Sequence, residues 1–215
     1  KRSSAKKQAE AAVESLLRLY VGRQNFSRPP YVSDLSLEAD FLSRFPYQDT
    51  PDQLSAWGEI SKDFDSNVPM DRLLCGDVGF GKTELAIRAS FRVVVAGRRV
   101  AVLAPTTILA NQLFSSFSSR LEPFAISVDM VSRFRAAGCV EKIKRDVLSG
   151  NNDVLIGTHA ILNDDIFLNN LGLMIVDEEH RFGVKQKDAI KGLRAGIDVL
   201  SMSATPIPRS INLAL

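Results

Sequence analysis

Met70-Asp71-Arg72-Leu73-Leu74-Cys75-Gly76-Asp77-Val78-Gly79-Phe80-Gly81-Lys82-Thr83 is the stretch whose reading decides the fold. An apolar run ends at Cys75, a glycine-rich loop follows, and a helix-like segment, Lys82–Val95, comes next. Residues Gly76–Thr83 fit G-x-x-x-x-G-K-[ST], a loop whose glycines let backbone N–H groups wrap a phosphate at the N-terminus of a helix. The loop Gly76, Asp77, Val78, Gly79, Phe80 and Gly81 is then expected to bind ATP. Lys82 is expected to reach the β- and γ-phosphates and Thr83 to hold Mg²⁺.

Outward from this loop, short apolar runs alternate with helix-like stretches. The runs are Met70–Cys75, Val100–Ala104, Ile126–Val131, Val154–Gly157, Leu173–Val176 and Val199–Met202; Thr107–Arg120 and Cys139–Leu148 are among the helical segments between them. Strands apolar on both faces and separated by helices imply an α/β domain with a mainly parallel sheet between helices, over residues 46–215. Ligands of such a sheet sit at the carboxyl ends of its strands. Residues 1–45 read as an N-terminal helical linker. Ala9, Ala12, Val13, Leu16, Leu17, Tyr20 and Val21 recur at helical spacing, and Gly22 and Pro29-Pro30 end that helix. A second helix starts at Ser33 or Asp34, with Leu35, Ala39, Leu42 and Phe45 on one side, and Pro46 closes it. A solvated linker and a partner-docking element fit these helices equally.

Composition narrows the class. The 215 residues are 45% hydrophobic, and no run approaches the roughly 18 apolar residues that a membrane span needs. Lys1-Arg2-Ser3-Ser4-Ala5-Lys6-Lys7 has no apolar stretch behind it to make a signal peptide, so a cytoplasmic location is expected. Cys75 and Cys139 have neither the number nor the spacing of a disulfide framework or zinc site, and Cys75 reads as a small buried core residue. Net charge is +2, with seven basic and two acidic side chains in residues 1–28. The remainder is slightly acidic, so contacts to nucleic acid rely on local groups and not on a global basic field.

A second acidic constellation, Leu173-Met174-Ile175-Val176-Asp177-Glu178-Glu179-His180, closes an apolar strand. Asp177 is expected in the Mg²⁺ shell and Glu178 at the attacking water, where it orients or deprotonates it. Acids there also favour the N-terminus of a following helix. In Phe45-Pro46-Tyr47-Gln48-Asp49-Thr50-Pro51-Asp52-Gln53, the Gln53 amide with Phe45 or Tyr47 can read and stack adenine, though Thr50-Pro51 is equally a helix start. Pro105-Thr106-Thr107 and Gly157-Thr158-His159 place hydroxyls and N–H groups at helix starts, where backbone phosphates can sit. Ser203-Ala204-Thr205-Pro206 ends the last strand, where hydroxyls can connect the acids to a neighbouring lobe.

In this order the segments resemble motifs Q, I, Ia, Ic, II and III of a superfamily 2 helicase or translocase. The closer resemblance is to the bacterial transcription-repair coupling factor family. It rests on Met70–Glu84, Ser132-Arg133-Phe134-Arg135, Asp177–Val184 and Thr205-Pro206-Ile207-Pro208-Arg209. RecG-like translocases share much of this but usually carry Ser at the place of Phe80 and Gln at the place of Glu179. The resemblance implies a RecA-like first motor lobe using ATP and Mg²⁺, with Glu84 joining the ATP-binding residues and Lys82, Asp177 and Glu178 catalytic. It implies a double-stranded DNA translocase that pushes stalled RNA polymerase forward and recruits excision-repair proteins. DNA-backbone contact carries over to Thr106, Thr107, Thr158 and His159, and to Arg133, Arg135 and Arg181. The arginines fit a salt-bridged loop as well, and His159 fits a structural histidine. His180, Ser203 and Thr205 carry over as residues coupling the acids to the second lobe. Because Leu215 follows soon after the last motif, the chain is expected to be an excised fragment without second lobe, polymerase-binding or repair-recruiting domains. A nucleotide-sensing module without turnover is the rival from another class; an intact Glu178 beside Lys82, Thr83 and Asp177 argues against it.

Overall fold

The computed structural model describes residues 26–132, 137–193 and 196–204, so the helix expected over residues 9–21 lies outside them. The six apolar runs each become a strand: β1 Asp71–Cys75, β2 Arg99–Leu103, β3 Val128–Val131, β4 Val154–Gly157, β5 Leu171–Asp177 and β6 Asp198–Ser203. They form one sheet in the order β1-β6-β5-β2-β4-β3, with every neighbouring pair parallel. The helices are α1 Leu35–Ser43, α2 Pro51–Asp65, α3 Lys82–Val95, α4 Thr107–Leu121, α5 Ala137–Ser149 and α6 Val184–Leu193.

Period-two alternation divides each strand between two cores. Val100, Val102, Leu173, Ile175, Leu200 and Met202 pack on one face with Phe91 of α3 and Phe117 of α4. Ala101, Leu103, Met174, Val176 and Val199 pack on the other with Ile143 of α5 and Ile190 of α6. The central strands β2, β4, β5 and β6 are covered on both faces, as their unbroken apolar runs require. Strand β1 differs. It lies at an edge, alternate residues face outward, and Cys75 is exposed. The expectation of a buried Cys75 is therefore wrong, because strand order and not local hydropathy decides which strand is flanked on one side only.

The helix starts follow their capping chemistry. Asp34 caps α1 by accepting from Ser36 N and Leu37 N. At α2, the Thr50 hydroxyl accepts from Gln53 N while the Gln53 carbonyl accepts from Thr50 N, and Pro51 occupies the first turn. The buried stripe of α1 is not the expected one. Phe41 and Leu37 face the core, and Phe41 stacks on Phe91 at 4.1 Å, whereas Leu35 is 79% exposed. One large aromatic anchors the helix and overrides three smaller residues on the neighbouring face.

The amino ends of the strands are tied by one buried carboxylate. Asp198, fully buried at the start of β6, accepts from Arg28 Nε at 2.5 Å and Nη2 at 2.8 Å, from the Tyr31 hydroxyl at 3.0 Å, and from Met70 N at 2.6 Å. Tyr31 also donates to Gly172 O at 3.0 Å on β5. Burial, then the Asp198 charge, pushes the Tyr31 phenol well above its ordinary pKa, so the hydroxyl stays a donor. Arg28 Nη1 donates to Ser66 O at 2.9 Å, which brings the end of α2 into the same knot. Removing one partner of a buried ion pair leaves the other charge uncompensated. Asp198→Ala should therefore cost about 3–5 kcal/mol in urea unfolding. A loss below about 0.5 kcal/mol, the usual range of a surface substitution, would show that the knot is held by the other contacts alone.

Candidate nucleotide site

Because every strand runs the same way, the loops after β1, β6, β5, β2 and β4 emerge at one edge in that spatial order. The loop after β1 carries the phosphate-binding motif. Gly79 and Gly81 have φ of 88° and 74°, a left-handed region that costs an L-residue roughly 1–2 kcal/mol. Gly81 is the N-cap of α3, and no side chain caps that helix, so its first N–H groups are offered to an anion. Lys82 Nζ donates to Gly76 O and to Asp77 O at 2.9 Å, which keeps the ammonium over the loop. Gly76 N in turn donates to Ser203 O at 3.2 Å, joining the loop to β6.

Gln53 fastens the loop from the other side. Its Nε2 donates to Phe80 O at 3.0 Å while its Oε1 completes the α2 capping box. A cavity of about 350 Å³ opens here, lined by Gln53, Cys75, Gly76, Asp77, Phe80 and Lys82 among others. Of the residues expected at adenine, Gln53 lines it, whereas Phe45 and Tyr47 do not. Phe45 lies under the Arg88 guanidinium at 5.0 Å and packs edge-on with Tyr47, which is 74% exposed. Val78 is 87% exposed outside the cavity. Glu84 is buried and is also absent from the cavity wall; its carboxylate meets Arg88 and Arg120. It stands one helical position past Thr83, on a different side of α3.

The acids end β5, whose register pairs Asp177 with Met202 of β6. Burial, then the Glu178 charge, holds the Asp177 carboxyl above its usual range; Lys82 and Arg181 pull it back down. A cation placed there would relieve the same penalty. Among the described residues no group of three His, Cys, Asp or Glu could hold a metal. Of the residues expected at Mg²⁺, Asp177 ends β5 and Thr83 stands in the first turn of α3; a cation held with few protein ligands is the usual mode for Mg²⁺ beside phosphates.

Glu178 adopts φ 50°, rare for a residue with a side chain, and three contacts hold it. Its N–H donates to Met202 O at 2.8 Å, Oε1 accepts from Ala204 N at 3.0 Å, and Oε2 accepts from Ser203 Oγ at 3.2 Å. His180 Nδ1 lies 3.2 Å from the same Oε2. His180 thus reaches Ser203 through Glu178. Thr205 lies outside the described residues. Sequence reasoning missed Ser201, whose hydroxyl donates to Glu179 Oε2 at 2.8 Å. Two serines at period two, Ser201 and Ser203, in an otherwise apolar strand were the available signal.

The next two loops make the candidate phosphate track. Ala104 N donates to Gly157 O at 2.8 Å, so the segments after β2 and β4 start side by side. Thr106 caps α4, accepting from Leu109 N at 3.3 Å, and is exposed; Thr107 opens that helix. Thr158 is only 5% exposed at the start of a short 3₁₀ turn, His159–Asn163, so it offers no surface hydroxyl. His159 is half-buried and Arg181 exposed, while Arg133 and Arg135 lie outside the described residues.

A DEAD/DEAH box helicase family model matches residues 50–214. The chain is 47% identical over 214 residues to a transcription-repair-coupling factor of Borreliella burgdorferi, covering 100% of this chain and 19% of that protein. It is 43% identical over 214 residues to the corresponding factor of Bacillus subtilis, covering 98% and 18%. The chain therefore spans about a fifth of the length of these relatives. A solved structure of RecG bound to a three-way DNA junction superposes with a TM-score of 0.79 at 38% identity, covering 92% of this chain and 26% of that one.

The two loop glycines separate backbone strain from crowding. A Cβ at Gly79 meets nothing within 4 Å, whereas one at Gly81 falls 2.3 Å from Gln53 Nε2. Gly79→Ala should cost only the left-handed strain, about 1–2 kcal/mol. Gly81→Ala should add loss of the Gln53–Phe80 bond and weaken a fluorescent ATP analogue by about 2- to 10-fold more. Equal affinities for the two variants would show that Gln53 does not shape the loop.

Proposed function

The chain belongs to the DEAD/DEAH box helicase family, and from that membership we propose that it is the ATP-binding lobe of an ATP-driven translocase on double-stranded DNA, of the transcription-repair coupling type. The observation that carries this reading is the shared sheet edge. The Lys82 loop and the Asp177-Glu178 turn flank the Ser203–Ala204 segment, and Gly76 N and Glu178 Oε1 both bond to that segment. A loop that receives phosphate and an acid that handles water are thereby joined through a third segment able to sense both. The identities of 43–47% to coupling factors support displacement of stalled RNA polymerase and recruitment of excision repair as the wider task. The RecG likeness keeps branched-DNA remodelling as the second reading.

In this function the N–H groups at the start of α3 and the Lys82 ammonium bind the phosphates, and Gln53 lines the cavity toward the base. Thr83 and Asp177 hold Mg²⁺, which when bound neutralises charge gathering on phosphate oxygens. Glu178 orients the attacking water and accepts its proton, its own carboxylate steered by Ala204 N and Ser203 Oγ. Thr106 and Thr107 receive DNA phosphates at the start of α4, a contact that fixes position without reading sequence. Among the described residues no helix is long and apolar enough to cross a membrane.

Lys82→Ala deletes the one full positive charge on the loop and should weaken a fluorescent ATP analogue by roughly 1.5–3 kcal/mol, or about 10- to 150-fold. Undiminished affinity would place the phosphates elsewhere. In a protein carrying both motor lobes, Glu178→Gln should bind ATP normally yet fall at least about a hundredfold in single-turnover hydrolysis. Near-normal turnover would hand the role to another group, with Glu179 first in line. ATP-dependent release of RNA polymerase stalled on duplex DNA, against ATP-dependent remodelling of a three-way junction, separates the two readings of the wider task.

A further inference from the structure

A buried ionic network joins the phosphate-binding helix to the helix that carries the candidate DNA contacts. Glu84 stands in the first turn of α3, directly after Thr83, with its side chain 9% exposed. Arg120 stands in the last turn of α4 and grips Glu84 with two donors, Nη2 to Oε1 at 2.8 Å and Nε to Oε2 at 3.2 Å. Arg88, one turn along α3 and 2% exposed, donates to Glu84 Oε1 at 3.1 Å and forks onto Asp49 with two bonds of 2.8 Å. Asp49 is the residue before Thr50, the cap of α2, and Gln53 of that cap holds Phe80 O. The network therefore touches the phosphate loop twice, at the start of its helix and through Gln53, and ends on α4.

Beside this ionic network, α3 and α4 share an apolar core that includes Ala86, Phe91, Ala110, Leu113 and Phe117. Apolar packing is non-directional and tolerates sliding. A forked guanidinium–carboxylate pair fixes both distance and angle. Arg120 is additionally clamped over the Phe41 ring at 4.4 Å and donates to Phe41 O at 3.3 Å, so its own position is set by α1. No cavity-lining atom belongs to Glu84, Arg88 or Arg120, and none of them is exposed enough to meet DNA.

We propose that Glu84 and Arg120 are positioning residues that couple nucleotide binding at the Lys82 loop to DNA binding at the Thr106–Thr107 end of α4. The inference rests on the function proposed above. Any adjustment of the first turn of α3 to a phosphate moves Glu84, and the fork transmits it to a rigid helix whose other end is the phosphate track. The apolar contact alone would absorb it.

The test is a ratio: affinity of the purified protein for duplex DNA with and without Mg²⁺ and a non-hydrolysable ATP analogue, larger value over smaller. Glu84→Gln and Arg120→Gln should each bring the ratio at least about fivefold closer to 1, and together no further than either alone. Arg120→Lys, which keeps charge but loses the fork, should fall between Arg120→Gln and the unmodified protein. Affinity for the analogue without DNA should stay within about twofold in all of them. A ratio unchanged in Arg120→Gln and Arg120→Lys, with cooperative melting retained, overturns the proposal. An equal loss of analogue affinity also overturns it, because the network would then merely support the loop. Should Glu84→Gln fail to fold, the two Arg120 variants decide alone. An unmodified protein whose DNA affinity ignores the analogue would instead sink the motor reading itself.

Discussion

All-parallel pairing of six strands is the constraint on which everything else depends. A parallel strand returns its chain through a crossover, so each carboxyl end delivers a loop to the same edge. Among the described residues five such loops carry polar chemistry, and their order along the edge follows from strand order alone. Phosphate loop, serine segment and acids are neighbours because β1, β6 and β5 are neighbours, although some hundred residues of chain separate Cys75 from Asp177. The same arrangement places the segments after β2 and β4 on the far side of the acids from the phosphate loop. One lobe thus carries the candidate nucleotide loop at one end of its edge and the candidate phosphate track toward the other.

What the sequence made legible was local. The loop Gly76–Thr83, the apolar run ending at Asp177 and the Ser203-Ala204-Thr205 segment after the last strand each announce themselves in a window shorter than one turn-and-strand unit. Six strands were found, with bounds that move by no more than two residues. What stayed hidden depended on residues far apart in the chain. Cys75 looks buried by hydropathy, and only the order β1-β6 reveals it as part of an edge. Leu35 looks like a core position until Phe41, two turns on, stacks with Phe91 and sets the helix rotation. Glu84 looks like one more residue of a nucleotide motif, and its partner Arg120 lies 36 residues away. Asp198 lies just outside the apolar run Val199–Met202, and its partners Arg28 and Tyr31 lie about 170 residues away in the chain.

The two ends of the sheet are built on opposite principles. At the amino ends, Asp198 gathers four donors, and Arg99 is buried among neutral acceptors: Asn152 O at 2.8 Å, Phe167 O at 3.3 Å and Asn169 O at 2.9 Å. Burial pushes the Arg99 guanidinium down to about 10, still charged at neutral pH, and its bonds fasten three chain segments at once. At the carboxyl ends the balance reverses, since the N–H groups at the start of α3 are left uncapped and Asp177 is held with too little compensation. The domain keeps its unsatisfied electrostatics where a charged ligand can complete them.

Glu178 shows how that incompleteness becomes directional. Its left-handed backbone costs on the order of 1–2 kcal/mol and persists because Met202 O, Ala204 N and Ser203 Oγ all hold it. Each of these partners belongs to β6 or its exit, the same segment that accepts from Gly76 N. A small displacement of that segment therefore alters two things together: the seat of the phosphate loop and the aim of the acid. An acid on a relaxed backbone with a freely rotating side chain would respond to neither. Strain at Glu178 is the physical means by which the orientation of its carboxylate is made to depend on the strand beside it.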